Sequence, residues 1–388
     1  MGDPCGRLVR PAPLGTPHWR PALAPPPPPV PPLNPAPTVT DPAPITYRDA
    51  GVNIDAQDQA LASAKESVRA TFTPGVLSDM GLFGGLFDLA KVGSEGHILV
   101  ASADGVGTKL DVAKRAGIHD TVGRDLVQHC INDILVQGAR PLFFMDYVGT
   151  GRLEPDVVSA LVRGCADACR DNGLALLGGE TAEMPGLYGD GDFDLVGFIV
   201  GSVARDKVLD GSRVRPGQTL IGLRSSGLHT NGYSLARKVI FERLGLGIDD
   251  RPEALGGQTV AEALLAPHRS YLELCWPLLE NNQLAALAHI TGGGLLDNVP
   301  RVLGAHDAII DRSTWETPPL FKMIVDAAGI AGTDEAYQAL NMGIGMVLFV
   351  ADEHLDAVEA HLRGAGEDIV RIGHTTAAAD EKGRVRWA

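Results

Sequence analysis

Ile98-Leu-Val-Ala-Ser-Ala-Asp-Gly-Val-Gly-Thr-Lys109 runs from an apolar stretch into a glycine loop and then opens a helical block. Ile98 to Val100 reads as a short buried strand. Glycines let a backbone come close to a ligand, and free amides at a helix start favour phosphate. Asp104, at the strand end, is placed to hold Mg²⁺, which takes a few carboxylates plus phosphate oxygens. Lys109 can meet phosphate as a point charge. A glycine turn with a capping Asp explains the same residues equally well. The stretch is neither a G-x-x-x-x-G-K loop nor a G-x-G-x-x-G loop.

Outward from this unit, strand-like and helix-like blocks alternate. Pro141 to Val148, Leu174 to Leu177, Leu195 to Val203, Thr219 to Leu223 and Met346 to Val350 read as further buried strands. Arg124 to Gln137 and Pro155 to Asn172 read as helices. The second is well punctuated, with Pro155 in its first turn and Gly173 as a left-handed stop. The class is mixed α and β with segregated elements. The polar, turn-rich stretch from Arg205 to Gln218 predicts a boundary between domains at 45–208 and 209–388. No internal repeat is visible.

The chain has 388 residues, enough for two domains. Its formal charge of −15 argues against gripping nucleic acid or anionic membrane, since both need a cationic surface. No apolar run approaches the roughly 20 residues needed to span a bilayer. Five cysteines are too few and odd in number for a disulfide framework, which suits a reducing, cytoplasmic setting. Residues 1–44 carry sixteen of the 27 prolines, including Pro25 to Pro29. Proline removes backbone donors and favours extended conformations, so this tail is expected to be disordered and inert.

The helix at 124–137 sharpens the case for a site. Taking Leu126 as zero at 100° per residue, the apolar positions fill an arc of about 180°, while Asp133 and Gln137 fall at about −20° and +20°. A carboxylate at the edge of a buried arc needs a partner, and a cation or a buried ion pair both serve. Gly178-Gly-Glu-Thr-Ala-Glu-Met-Pro-Gly186 reads as a second carboxylate-bearing loop, with Glu180 and Glu183. Asp104, Asp133 and Glu180 together would make an oxygen-rich Mg²⁺ site. Gly81-Leu-Phe-Gly-Gly-Leu-Phe87 suits a lid over a nucleotide or a packed turn.

In the second half, Ser225-Ser-Gly-Leu-His-Thr-Asn-Gly-Tyr-Ser234 is dense in hydroxyl, amide and imidazole groups just before a helix. It suits a phosphate or ribose, with His229 as the group that handles protons. Thr291-Gly-Gly-Gly294, with His289 nearby, is another anion-friendly turn. Singly, each loop is better read as a capped helix start; four in one acidic protein tip the balance. Cys165 and Cys169, one helical turn apart with no nearby His, read as buried small apolar residues rather than metal ligands.

Taken together, Tyr47 to Asp55, Ala103 to Lys109, Asn132-Asp133 with Gln137 to Phe144, Gly178 to Gly186, Ser225 to Ser234 and Thr291 to Gly294 resemble the phosphoribosylformylglycinamidine cyclo-ligase family, the aminoimidazole ribonucleotide synthetases. The motifs run in the family's order from about residue 45 to the C-terminus. One departure is Leu82, which stands between Gly81 and Phe83 where a double glycine is expected. The resemblance implies an α+β, two-domain fold whose N-terminal sheet joins a partner's in a dimeric barrel. It implies ATP-dependent cyclisation of formylglycinamidine ribonucleotide to 5-aminoimidazole ribonucleotide, with release of ADP and phosphate. Asp104, Asp133 and Glu180 would hold Mg²⁺, with Asp104, Asp133 and His229 catalytic. Lys65, Gly84, Gly85, Gly105, Gly107, Thr108 and Lys109 would bind ATP. Ser225, Ser226, His229, Asn231, Thr291, Gly292 and Gly293 would hold the ribonucleotide. A cytoplasmic homodimer is implied.

Three superfamily rivals fit less well. A selenophosphate synthetase usually needs a reactive Cys in its N-terminal glycine loop, and residues 72–90 contain none. The hydrogenase maturation factor ends in a cysteine tail, whereas this chain ends Arg384-Val-Arg-Trp-Ala388. Thiamine-monophosphate kinase carries an acidic pair where Asp104-Gly105 stands here. A scaffold with a dead nucleotide site is disfavoured by the presence of Asp104, Lys109, Asp133 and His229.

Overall fold

The computed structural model describes residues 45–46, 76–77, 85–92, 96–379 and 383–388. The expectations placed on residues 1–44, on Tyr47 to Asp55, on the first part of Gly81 to Phe87, and on Lys65 and Gly84 lie outside them. All described residues belong to one compact unit, Ala43–Ala388.

The first sheet has five strands in the order β1-β2-β5-β3-β4. Their ranges are β1 Gly85–Asp88, β2 His97–Gly105, β3 Arg140–Thr150, β4 Ala175–Glu183 and β5 Phe193–Ala204. β3 and β4 pair in parallel, and the other neighbours are antiparallel. The helices α1 (Lys109–Ala116) and α2 (Asp120–Leu135) carry the chain from β2 to β3, and α3 (Pro155–Asp171) carries it from β3 to β4. Pro155 lies in the first turn of α3, and Gly173 follows it at φ +71°.

Side chains alternate across the strands, so the sheet has two unlike faces. Phe144, Leu195 and Ile199 are buried under the helices. On the other face Met145, Phe198, Leu142 and Leu177 are exposed; Phe198 sits level with Ala103 on one neighbour and Met145 on the other. Helix packing closes tightly on the covered face: a Cβ on Gly197 would stand 2.2 Å from Phe144 Cζ.

The second sheet has six strands in the order β11-β8-β10-β6-β9-β7. They are β6 Thr219–Arg224, β7 Ala286–His289, β8 His306–Ile310, β9 Ile344–Val350, β10 Ile369–Ala377 and β11 Val385–Trp387. Only the β11–β8 pair is parallel. β9 is buried along its whole length, as its unbroken apolar run Ile344 to Val350 requires.

The element best placed to join the halves is α2. Its residues are buried almost continuously from Val122 to Leu135, polar ones included. One side lies on the first sheet, and Asn132 meets residues 268–271 of the second half. The expected strands at 98–100, 141–148, 195–203, 219–223 and 346–350 are present with longer ends. The reading of Gly178 to Gly186 as a loop is corrected: Gly178, Gly179 and Glu180 lie inside β4, paired with β3. Gly179 is needed there because a Cβ would stand 2.3 Å from Asp146 Oδ1.

Candidate active site

Four histidines from four separate segments meet at the junction of the halves. His129 comes from α2, His229 from the loop after β6, His268 from the loop before α4 (Leu272–Glu280), and His289 from the end of β7. All four are buried. Ring centroids are 5.2 Å apart for His129–His268, His129–His289 and His268–His289, and 4.0 Å for the stacked pair His229–His268.

Two carboxylates frame the cluster. Asp104 Oδ2 lies 2.7 Å from His129 Nε2, and its side chain is 40% exposed, so it marks the open side. Asp133 is buried one turn beyond His129, with Oδ1 2.8 Å from His289 Nδ1 and Oδ2 3.5 Å from His129 Nε2. Burial alone would drive His129 towards its neutral form, but Asp104 and Asp133 outweigh it and lift the imidazole well above its ordinary value. Burial likewise opposes the Asp133 charge, yet His129 and His289 hold it below the usual carboxylate range. His229 and His268 are pushed well below theirs by burial, reinforced by neighbouring cationic groups, and stay neutral.

A network of side chains anchors these rings. His129 Nδ1 lies 2.5 Å from Thr230 Oγ1, which is 3.4 Å from His268 Nδ1. His268 Nε2 lies 3.1 Å from His289 Nε2. The Ser226 amide donates to His229 Nε2 at 3.2 Å. His229 Nδ1 is buried with no hydrogen-bond partner among the described residues. His229 also holds φ +62°, a backbone conformation that side chains other than glycine, asparagine and histidine rarely take.

Two of the loops singled out in the sequence lie against each other. A Cβ on Gly292 would lie 3.1 Å from Asn231 Oδ1, so the Thr291 turn and the Asn231 loop touch. Asn298 Nδ2 donates to the carbonyls of Thr291, Gly292 and Gly294 and holds that turn in shape. Gly293, at φ +90°, sits at the start of a short helix. Ser225 Oγ donates to Asn341 Oδ1 at 3.0 Å, and Ser226 Oγ to the Pro267 carbonyl at 2.5 Å. On the other side, Gly105 N donates to Asp104 Oδ1, Gly107 turns the chain at φ +62°, and Thr108 Oγ1 meets Ser234 Oγ at 3.1 Å. Gly85 opens β1.

Two expectations are corrected. Lys109 is wholly buried: Nζ lies 2.6 Å from Asp125 Oδ2 and donates to the carbonyls of His229 and Ala266, each at 3.0 Å. An ammonium has three hydrogens, so the phosphate contact expected of Lys109 has no donor left. Burial pushes this ammonium down and the Asp125 carboxyl up, and their mutual attraction opposes both shifts. Glu180 is exposed and lies three strands from Asp104 in the sheet order, about 14 Å at ordinary strand spacing. The three carboxylates therefore do not converge within the chain.

His129, His268 and Asp125 escaped the sequence reading, and Thr230 entered it only as one hydroxyl of the Ser225–Ser234 loop. The signal for two of them was present: Asp125, His129 and Asp133 recur every four residues and form one polar stripe along the edge of the apolar arc. His268 and Thr230 carry no such spacing.

Residues 84–203 match the family model "AIR synthase related protein, N-terminal domain", and residues 215–386 match the corresponding C-terminal domain. A protein of Syntrophotalea carbinolica named phosphoribosylformylglycinamidine cyclo-ligase is 49% identical over 344 residues, which is 88% of this chain and 98% of the relative. One of Geobacter metallireducens with the same name is 52% identical, covering 85% of this chain and 94% of the relative. Among solved structures, thiamine-monophosphate kinase from Stenotrophomonas maltophilia matches at a TM-score of 0.57 and 19% identity, over 84% of this chain and 95% of that one. The hydrogenase maturation protein HypE in complex with ATP matches at 0.54 and 19%, over 87% and 92%. These two likenesses concern the fold.

Proposed function

The chain belongs to the AIR synthase related protein family, and we propose that its histidine–carboxylate cluster is the seat of an ATP-driven ring closure. It is a ligase of purine biosynthesis: ATP drives the cyclisation of formylglycinamidine ribonucleotide to 5-aminoimidazole ribonucleotide, releasing ADP and phosphate. The observation that carries the site assignment is convergence. Asp104, Asp133, His229 and the Thr291 turn, far apart in sequence, surround one junction between the two sheets.

In this reading ATP phosphorylates the formamide oxygen, the amidine nitrogen attacks the activated carbon, and phosphate leaves. Such chemistry is mostly positioning and charge neutralisation. The amides of Gly107 and Thr108 face the phosphates, while Asn231, Ser225, Ser226 and the Thr291-Gly292-Gly293 turn hold the ribonucleotide. His229 Nδ1, buried and without a hydrogen-bond partner among the described residues, is the atom available to exchange a proton with substrate. Bound Mg²⁺ would neutralise the phosphate oxygens. Asp104 is the carboxylate that reaches the open side, whereas both oxygens of Asp133 already face imidazoles.

A homodimer is supported by the exposed apolar side chains Leu142, Met145, Leu177 and Phe198 of the first sheet. A cytoplasmic setting is supported by Cys130, Cys165, Cys169 and Cys275, all buried and unpaired. No helix among the described residues is long and apolar enough to cross a membrane. A division near residues 205–218 is supported by the absence of any strand linking the two sheets among the described residues.

The test is a coupled assay with Mg²⁺, ATP and formylglycinamidine ribonucleotide, following ADP and the aminoimidazole together. Stoichiometric formation of both, dependent on both substrates, is the expected result. ADP without the aromatic amine would reject this substrate.

A further inference from the structure

The hydrogens of Ser225 and Ser226 all point into the protein. Ser225 N donates to the Gly343 carbonyl at 3.0 Å, and Ser225 Oγ donates to Asn341 Oδ1 at 3.0 Å. Asn341 cannot be flipped: Oδ1 also accepts from the Gly343 amide at 2.9 Å, and Nδ2 donates to the Gly227 carbonyl at 2.9 Å. Ser226 N donates to His229 Nε2 at 3.2 Å, and Ser226 Oγ donates to the Pro267 carbonyl at 2.5 Å. A hydroxyl has one hydrogen, so each serine is left with lone pairs alone to offer a ligand. Turning the Ser225 hydrogen outward would give up a bond to a carboxamide that is itself buried. Thr291 has the same polarity: Oγ1 donates to Asn298 Oδ1 at 3.2 Å, and Asn298 Nδ2 is held by three carbonyls.

The cleft beside these serines carries no charge. It holds about 190 Å³, and Leu255, Ala263, Ala266, Leu320 and Phe321 make its apolar walls. Gln258 is the polar side chain that lines it besides the serines, and no Lys, Arg or His does so among the described residues. Pro318 and Pro319 also line it and have no N–H to give. A phosphate dianion only accepts hydrogen bonds, and it leaves water at a high cost unless cations or donors receive it. Ribose hydroxyls are neutral and can donate. We propose that Ser225, Ser226 and this cleft form the sugar subsite, accepting hydrogen bonds from the ribose hydroxyls of the ribonucleotide, and that its phosphate is bound by a different element.

This inference rests on the ribonucleotide as substrate and says which part of it the serines meet. The residue types of the Ser225–Ser234 loop suit a phosphate and a ribose equally; the direction of the hydrogen bonds at Ser225 and Ser226 decides between them. The amidine of the substrate also carries donors, and the experiment separates it from the sugar.

The experiment uses the full chain with the ribonucleotide and its 2′-deoxy and 3′-deoxy forms, all with the phosphate intact, read as substrates or as competitive inhibitors. Ser225→Ala and Ser226→Ala should each raise KM for the ribonucleotide about five- to tenfold, with KM for ATP unchanged. Against the deoxy form that lacks the partner hydroxyl, the same substitution should cost nothing further. A loss of equal size against all three ligands puts the serine on the phosphate or the amidine and overturns the proposal, as does no loss at all. Circular dichroism checks folding; Asn341 Oδ1 keeps its bond from the Gly343 amide in Ser225→Ala, and if one variant fails to fold the other decides. A parent protein that neither binds nor turns over the ribonucleotide rejects the proposed function itself, whereas turnover with an equal loss against all three ligands sinks only this inference.

Discussion

Lys109 Nζ lies 2.6 Å from Asp125 Oδ2 with both side chains wholly buried, and this one pair grips both loops that carry the stacked imidazoles. The ammonium donates to the His229 carbonyl, and Asp125 Oδ1 accepts from the His268 amide at 2.6 Å. The glycine loop after β2 is thereby tied to the second half of the chain.

Removing one partner leaves the other charge buried and uncompensated. Lys109→Met should cost about 3–5 kcal/mol of stability, and Lys109→Met with Asp125→Leu should regain a large part of it. Urea unfolding of the three proteins measures this. Additive losses in the double variant would mean that the pair does not act as a unit.

Asp133 is bonded to two of the four imidazoles, so its loss should disable chemistry rather than the fold. Asp133→Ala is expected to lower ATP turnover by about a hundredfold or more, with the far-ultraviolet circular dichroism unchanged. Turnover within a few-fold of the parent would remove Asp133 from the reaction.

The contact between Gly292 and Asn231 predicts an effect on substrate binding. In Gly292→Ala the new Cβ, 3.1 Å from Asn231 Oδ1, must displace that side chain. KM for the ribonucleotide should rise up to about tenfold while KM for ATP stays put. An equal rise in both would place Asn231 elsewhere.

Phe198 lies between Ala103 and Met145 in the first sheet, with its side chain exposed. Phe198→Glu puts a charge in the surface proposed to pair with a second copy. Sedimentation should show a dimer for the parent and a monomer for the variant; an unchanged mass would assign the interface to another face.

Asp307 anchors the C-terminal strand: it accepts from the Arg384 amide at 3.0 Å and from Arg386 Nε at 2.5 Å. The Arg386 hydrogen bond holds its carboxyl below the usual range, against the opposing effect of burial. A depressed carboxyl stabilises the fold above the unfolded value of about 4, and that contribution fades as pH falls through the lower folded value. Asp307→Asn should therefore lose about 1–3 kcal/mol at pH 7, and the gap should narrow in acid. Thermal unfolding at pH 7 and pH 3.5 checks the sign.

Much of the architecture was legible because strands and helices announce themselves locally. The apolar runs at 195–203 and 346–350 and the Pro155–Gly173 punctuation need only neighbouring residues to be understood. The β11–β8 and β10–β8 pairings were not legible, since short strands with mixed burial lack a strong periodic signal. Glycines misled at Gly178-Gly179, which lie inside a strand rather than a loop, Gly179 leaving room for Asp146.

By itself the sequence determined the family and the order of the glycine-rich loops, and it singled out Asp104, Asp133 and His229 as candidates, since each rests on residue type and local spacing. Only the tertiary structure decided their partners. It turned Lys109 inward to Asp125, left Glu180 three strands away, and brought His129, His268 and His289 together from three elements. The physical reason is burial. A charge or imidazole taken from water must find its counterpart across the fold, and no local pattern says which distant residue will lie within 3 Å of it.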